Sequence, residues 1–142
     1  MLQPTRFLSI AALALLPGVA IAQRQVVIPQ GQNASATLSP AVRIGDLLYL
    51  SGQLPARGDS TIEGQTKSAL EKMNPILAAA GTSSANIVKC TVFLVDIKDF
   101  QGMNKAYAEF FPKEPPARST VVVAALVTPG AKLEVECIAA LK

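Results

Sequence analysis

The eleven residues Ile87 to Ile97, IVKCTVFLVDI, constrain the fold more than any other stretch of the chain. They are β-branched and apolar with few polar breaks, the pattern of a strand covered on both faces. Helical patterns flank this strand. From Thr61 to Ala80 the apolar positions Ile62, Ala69, Leu70, Met73, Ile76, Leu77 and Ala80 recur in steps of three and four, and Gly81 stands where a helix C′ residue belongs. Pro75 lies inside this segment and predicts a kink there, because it lacks the N–H that would bond the Glu71 carbonyl. Beyond the strand, Asp99 is placed to cap a second helix with the apolar face Phe100, Met103, Tyr107, Phe110 and Phe111, ended by Pro112.

The remaining segments read as strands. Val42 to Ile44 and Leu47 to Leu50 flank Gly45-Asp46, the signature of a tight II′ hairpin. Ser51-Gly52-Gln53 follows, and a glycine at a strand end marks either a bulge or a close approach by a ligand or another backbone. Past Pro115-Pro116, Ser119 to Val127 and Lys132 to Leu141 read as strands joined by a turn at Thr128-Pro129-Gly130. The order hairpin, helix, strand, helix, strand, strand predicts an α+β fold, a mixed sheet with both helices on one face. Val121 to Val123 and the apolar side of the last strand then have no helix to cover them. Self-association with closed cyclic symmetry is the expected remedy.

Residues 1–22 have the three parts of an export signal: Arg6 in a positive n-region, an apolar stretch from Phe7 to Leu16, and the small-x-small site Ala20-Ile21-Ala22 before Gln23. Pro17-Gly18 ends the apolar run after about ten residues, short of the ~20 a membrane anchor requires. A periplasmic or secreted protein of 120 residues is therefore expected, a length suited to one domain. Residues 23–40, rich in Gln, Asn, Ser, Ala and Pro, read as an extended or poorly ordered leader, and residues 41–142 as the domain itself. After cleavage, 12 Lys and Arg oppose 10 Asp and Glu, and the basic residues are scattered singly. That pattern offers no footprint for nucleic acid. The chain has no His and two Cys, which removes His-based triads and most ordinary metal sites. Cys90 and Cys137 each lie in a strand-like run. An oxidising compartment permits a disulfide between them, but two buried thiols acting as small hydrophobes are the expectation.

The stretch Pro115-Pro116-Ala117-Arg118-Ser119-Thr120-Val121 carries the most chemical information. The prolines fix the entry, so Arg118 is presented at a strand start, where a guanidinium can make a planar two-pronged contact with a carboxylate or simply an ion pair at the rim. Ser51-Gly52-Gln53, Val92 to Asp96 followed by Asp99-Phe100, Met103-Asn104-Lys105-Ala106-Tyr107, Pro116-Ala117-Arg118-Ser119 and Leu133-Glu134-Val135-Glu136 occur together in order. In this set, spanning about residues 40–140, the chain resembles the RidA (YjgF) family of cofactor-free enamine and imine deaminases.

The resemblance implies a chorismate-mutase-like mixed sheet with two helices on one face, assembled as a homotrimer with clefts between subunits. It implies hydrolysis of 2-enamino or 2-imino acids to 2-keto acids and ammonia, an activity like that of a 2-iminobutanoate/2-iminopropanoate deaminase. Arg118 is then the clamp for the substrate carboxylate, and Glu134 the residue that positions the hydrolytic water. Ser51, Gly52, Asn104 and Thr120 line the cleft, Thr120 through its backbone amide. Two positions depart from the family pattern: Ala41 stands where an aromatic Tyr is usual, and Thr120 where a Cys is usual. The partners implied are a small carboxylate-bearing imine and two further copies of the chain, with no nucleic acid and no membrane. The alternative is a trimeric small-molecule-binding or holdase module of the same fold that has lost catalysis.

Overall fold

The computed structural model describes residues 23–33 and 35–141, so the export signal read from residues 1–22 lies outside the described residues. Six strands form one sheet: β1 (Gln25–Val27), β2 (Ala41–Ile44), β3 (Leu47–Gln53), β4 (Ile87–Leu94), β5 (Ala117–Val122) and β6 (Leu133–Ala140). Their spatial order is β1-β2-β3-β6-β4-β5. The β4–β5 pair is parallel and the other pairs are antiparallel. The sheet is thus mixed, as expected. Gln25–Val27 falls in the segment read as extended or poorly ordered, and it pairs with β2 at one edge of the sheet.

In the β2–β3 hairpin Ile44 pairs with Leu47, leaving Gly45-Asp46 as the two-residue loop. Gly45 takes φ 56° while Asp46 is not at positive φ. That combination suits the first central position of a II′ turn, where glycine has no Cβ to clash.

The first helical segment divides into α1 (Ile62–Glu71) and α2 (Met73–Ala79). The break expected at Pro75 therefore falls at Lys72, one residue past the Glu71 carbonyl that the proline ring would strike. Pro75 ends up in the first turn of α2, where an N–H has no intrahelical partner to lose. Thr61 caps α1 by accepting the Gly64 N–H. At the far end Gly81 (φ 77°) donates to the Ala78 carbonyl and Thr82 to that of Leu77, closing a Schellman motif.

Asp99 does not cap α3 (Phe100–Phe110) with its side chain. Its backbone is already helical (φ −77°, ψ −8°), so the carboxylate cannot turn back onto the first-turn N–H groups. It pairs instead with Lys132 Nζ at 3.2 Å. Asp96 accepts the Lys98 N–H and winds Ile97–Asp99 into a 3₁₀ turn. That turn ends β4 at Leu94, three residues before the expected limit of Ile97.

The fifth strand is shorter than expected at its C-terminal end and starts two residues earlier: Ala117–Val122, not Ser119 to Val127. Among the described residues its only ladder partner is β4, whose last residue Leu94 pairs with Val122. After Val123 donates to the Leu94 carbonyl at 2.8 Å there is no partner left, and the strand stops.

All three helices pack on one sheet face. Leu48, Val92, Leu94, Leu133 and Val135 from the sheet meet Leu70, Met73, Leu77 and Met103 from the helices, each at most 1% exposed. β4 is covered on this face only within one chain. Its alternate residues Thr91 and Phe93 are half-buried, and Val88 is exposed. The helix-free face also carries Tyr49, Ile138 and Val121, so the apolar surface expected there is present.

Cys90 and Cys137 correct the expectation of free thiols. They are paired residues of the adjacent strands β4 and β6, with Cα atoms 4.1 Å apart, and form a disulfide on the core face. The bridge spans 47 residues of chain. Closing a loop of that size stabilises by about 2–4 kcal/mol. Full reduction, verified by thiol titration at fixed protein concentration, is expected to lower the melting midpoint by about 10 °C. An unchanged midpoint would show that the bridge contributes nothing to stability.

Candidate active site

The register places the two proposed catalytic residues on opposite faces of the sheet. Arg118 pairs with Cys90, a core-facing residue, so its side chain leaves β5 on the helix side. Glu134 pairs with Phe93 and leaves β6 on the helix-free side. The residues expected to line one site accordingly fall into two clusters.

The first cluster is built on Arg118. Its Nη2 donates to Asn104 Oδ1 at 2.6 Å and its Nη1 to Met103 Sδ at 3.7 Å. The guanidinium carbon lies 4.5 Å from the centre of the Tyr107 ring, a cation–π contact. Met103, Asn104 and Tyr107 occupy one turn of α3, spaced i, i+1 and i+4, so a single rigid helix sets the orientation of the arginine. A guanidinium has five N–H donors, and two are committed here, leaving the rest for a ligand. Thr120 is two residues along β5 on the same face, and its buried hydroxyl has no hydrogen-bond partner.

Tyr107 is a functional candidate that the sequence reading placed only in the core. It is 4% exposed and its hydroxyl makes no hydrogen bond, an arrangement that costs roughly 1–3 kcal/mol. Burial pushes its pKa up to about 12, partly opposed by the Arg118 charge, so the hydroxyl stays a proton donor at neutral pH. The i, i+4 relation of Met103 and Tyr107, with Asn104 between, was the available signal. It reads equally well as ordinary core packing. Beside this cluster an open cleft of about 430 Å³ is lined by Asn104, Tyr107, Ala108, Phe111, Pro115, Pro116 and Arg118.

The second cluster joins Ser51, Gly52 and Glu134. β3 shifts register against β6 between Leu50 and Gln53, and this irregularity brings Gly52 under the Glu134 side chain. A Cβ at Gly52 would collide with the Glu134 carboxylate. Glycine thus stands at a register irregularity, the first of the two readings open for a strand-end glycine, and the Glu134 side chain fills the space a Cβ would take. Ser51 Oγ donates to the Ser39 carbonyl at 2.6 Å and its N–H to that of Pro40, which ties the corner to the start of β2. Ala41, the departure from the family's aromatic, is 1% exposed in the core. Glu134 opens onto a hollow of about 310 Å³ walled by Phe93, Val123 and Ala125 to Val127.

The chain has relatives among known proteins. A family model described as Endoribonuclease L-PSP matches residues 29–141, a span that contains every residue of both clusters. The chain belongs to the RidA (YjgF) family. It is 42% identical over 119 residues to the chloroplastic Reactive Intermediate Deaminase A of Arabidopsis thaliana, covering 78% of this chain and 63% of the plant protein. Over 123 residues it is 37% identical to the human 2-iminobutanoate/2-iminopropanoate deaminase, covering 82% and 89% of the two. The crystal structure of yeast Mmf1 superposes with a TM-score of 0.76 at 34% identity, covering 84% of this chain and all of that one. The RidA family therefore includes proteins named as deaminases, and this chain has the fold of the family's solved structures.

Within the RidA fold Gly52 makes a direct prediction. Gly52→Ala should push the Glu134 carboxylate aside while leaving the fold intact, because the clash is with the flexible end of a side chain. A misplacement of this kind can cost roughly 10²-fold in rate. For the imine hydrolysis proposed below, turnover beside a melting midpoint near wild type checks it, and unchanged turnover would remove Gly52 from the site.

Proposed function

We propose that the protein hydrolyses 2-imino and 2-enamino acids to 2-keto acids and ammonia, as a homotrimer whose sites form between copies. One observation carries this reading: Arg118 is held ready by Asn104 and Tyr107 with donors to spare, while Glu134 waits on the other sheet face over Gly52. An adjacent copy that covers the helix-free face can offer its Glu134 to this Arg118.

In the proposed reaction the substrate carboxylate docks on the uncommitted N–H groups of Arg118. Glu134 accepts a proton from water as the water oxygen bonds to the imine carbon and the C=N π electrons move onto nitrogen. The same carboxyl returns the proton to that nitrogen. In the resulting carbinolamine the hydroxyl proton passes through the Glu134 carboxyl to the amine nitrogen. The C–N bond breaks with its electron pair on nitrogen, ammonia leaves, and the oxygen lone pair closes the carbonyl of the 2-keto acid. Positioning and proton transfer are the protein's contributions. An exported location is proposed with this activity, and the Cys90–Cys137 bridge supports it, since disulfides persist in oxidising compartments.

Two experiments test the assembly. Sedimentation should give a trimer mass independent of dilution, and a monomer would remove the intercopy site. Mixing Arg118→Lys with Glu134→Gln chains, unfolded and refolded together, should restore about a quarter of wild-type activity, because that share of interfaces pairs the intact halves. No recovery above the separate variants would place both residues in one protomer's site.

A further inference from the structure

The cleft beside Arg118 is larger and more apolar than carboxylate binding requires. Its volume of about 430 Å³ lies within the roughly 300–1,000 Å³ of pockets that enclose whole small molecules. Arg118 stands at one side, and Tyr107, Phe111, Pro115 and Pro116 form the walls. The walls are stiff. Tyr107 and Phe111 pack with ring centres 4.7 Å apart, Phe110 meets Phe111 edge-on at 4.8 Å, and the two prolines fix their own backbone angles. Tyr107 adds a buried hydroxyl without a partner. A cation with uncommitted donors next to an apolar, aromatic-walled cleft is complementary to one kind of ligand: an anion carrying a sizeable hydrocarbon group.

We propose that this cleft is the side-chain subsite of the enzyme and selects 2-imino acids with branched aliphatic or aromatic side chains over those with a methyl group. The proposal rests on the deaminase reading above and names its substrate class. The carboxylate engages Arg118, and the side chain lies against Phe111 and the Pro115-Pro116 corner, leaving water as each added carbon is covered.

Ala108 is exposed on α3 and lines the same cleft, so Ala108→Phe should fill the subsite without burying a new group in the core. Ala108→Leu provides a smaller plug should the first variant fold poorly. Ammonia release is measured with imino acids freshly generated from alanine, leucine and phenylalanine. Calorimetry with pyruvate, 4-methyl-2-oxopentanoate and phenylpyruvate gives affinities independent of turnover. Wild type is expected to favour the leucine and phenylalanine imines over the alanine imine by about tenfold or more in kcat/KM. Ala108→Phe should lower that ratio at least about tenfold. Equal rates in wild type, or a ratio untouched by both variants, would overturn the subsite. If no imino acid is turned over, the deaminase reading falls, and calorimetry still decides the cleft. Tighter phenylpyruvate binding that is lost in Ala108→Phe keeps the subsite, and equal affinities for all three keto acids remove it.

Discussion

Arg118→Lys should lower kcat/KM for 2-imino acids by about 100-fold while the protein stays folded and keeps the wild-type assembly state. Lysine keeps the charge but is a point donor, so it cannot reproduce a planar two-pronged contact. It also cannot hold the Asn104 oxygen, as the guanidinium does from its seat on Tyr107, and still present a rigid fork to a carboxylate. Loss of one charge-assisted hydrogen bond is worth about 1.5–3 kcal/mol, and about 2.7 kcal/mol corresponds to 100-fold. The fold should tolerate the change, because Arg118 is on the edge strand β5 and only half-buried. Steady-state kinetics beside a melting curve checks both parts. Wild-type turnover in the Lys variant would show that Arg118 is not the carboxylate clamp.

Glu134→Gln should separate chemistry from binding. The amide is nearly isosteric and can still hydrogen-bond a water, yet it cannot take a proton at neutral pH. General acid–base help is typically worth ~10²- to 10⁴-fold, so kcat should fall within that range. Affinity for a 2-keto acid product should change less than about threefold, because Arg118 holds the ligand. Arg118→Lys should weaken that same affinity. Wild-type turnover with weakened affinity in the Gln variant would make Glu134 a lining residue and favour the non-catalytic binding module.

The parts of this molecule that were readable from sequence are those set by neighbours along the chain. Periodicity located the helices, Gly45-Asp46 announced the hairpin, and Gly81 marked a helix end, because each depends on local backbone geometry. The misplaced details depend on what lies across the sheet. β5 stops at Val122 because β4 has run out, a limit that no residue of β5 encodes. The Cys90–Cys137 bridge requires β6 to lie beside β4 in the right register, although α3 and β5 separate them in sequence. Asp99 has a good capping side chain, but the 3₁₀ turn started by Asp96 gives it helical angles and turns it toward Lys132.

The site was legible in the same uneven way. Arg118 and Glu134 stand out by type and spacing, yet their arrival on opposite faces follows only from the pairing of Arg118 with Cys90 and of Glu134 with Phe93. Tyr107 was hidden because an aromatic on the apolar face of a helix fits the core in any case. Its contact with Arg118 and its unpartnered hydroxyl emerge only when β5 and α3 are brought together.

The most direct test of the whole account is ammonia release from a freshly generated 2-imino acid in the presence of the purified protein. Saturable acceleration over spontaneous hydrolysis is expected, matched mole for mole by 2-keto acid and lost in both Arg118→Lys and Glu134→Gln. Ammonia appearing at the spontaneous rate with the folded protein, whatever imino acid is supplied, would contradict imine hydrolysis by this site.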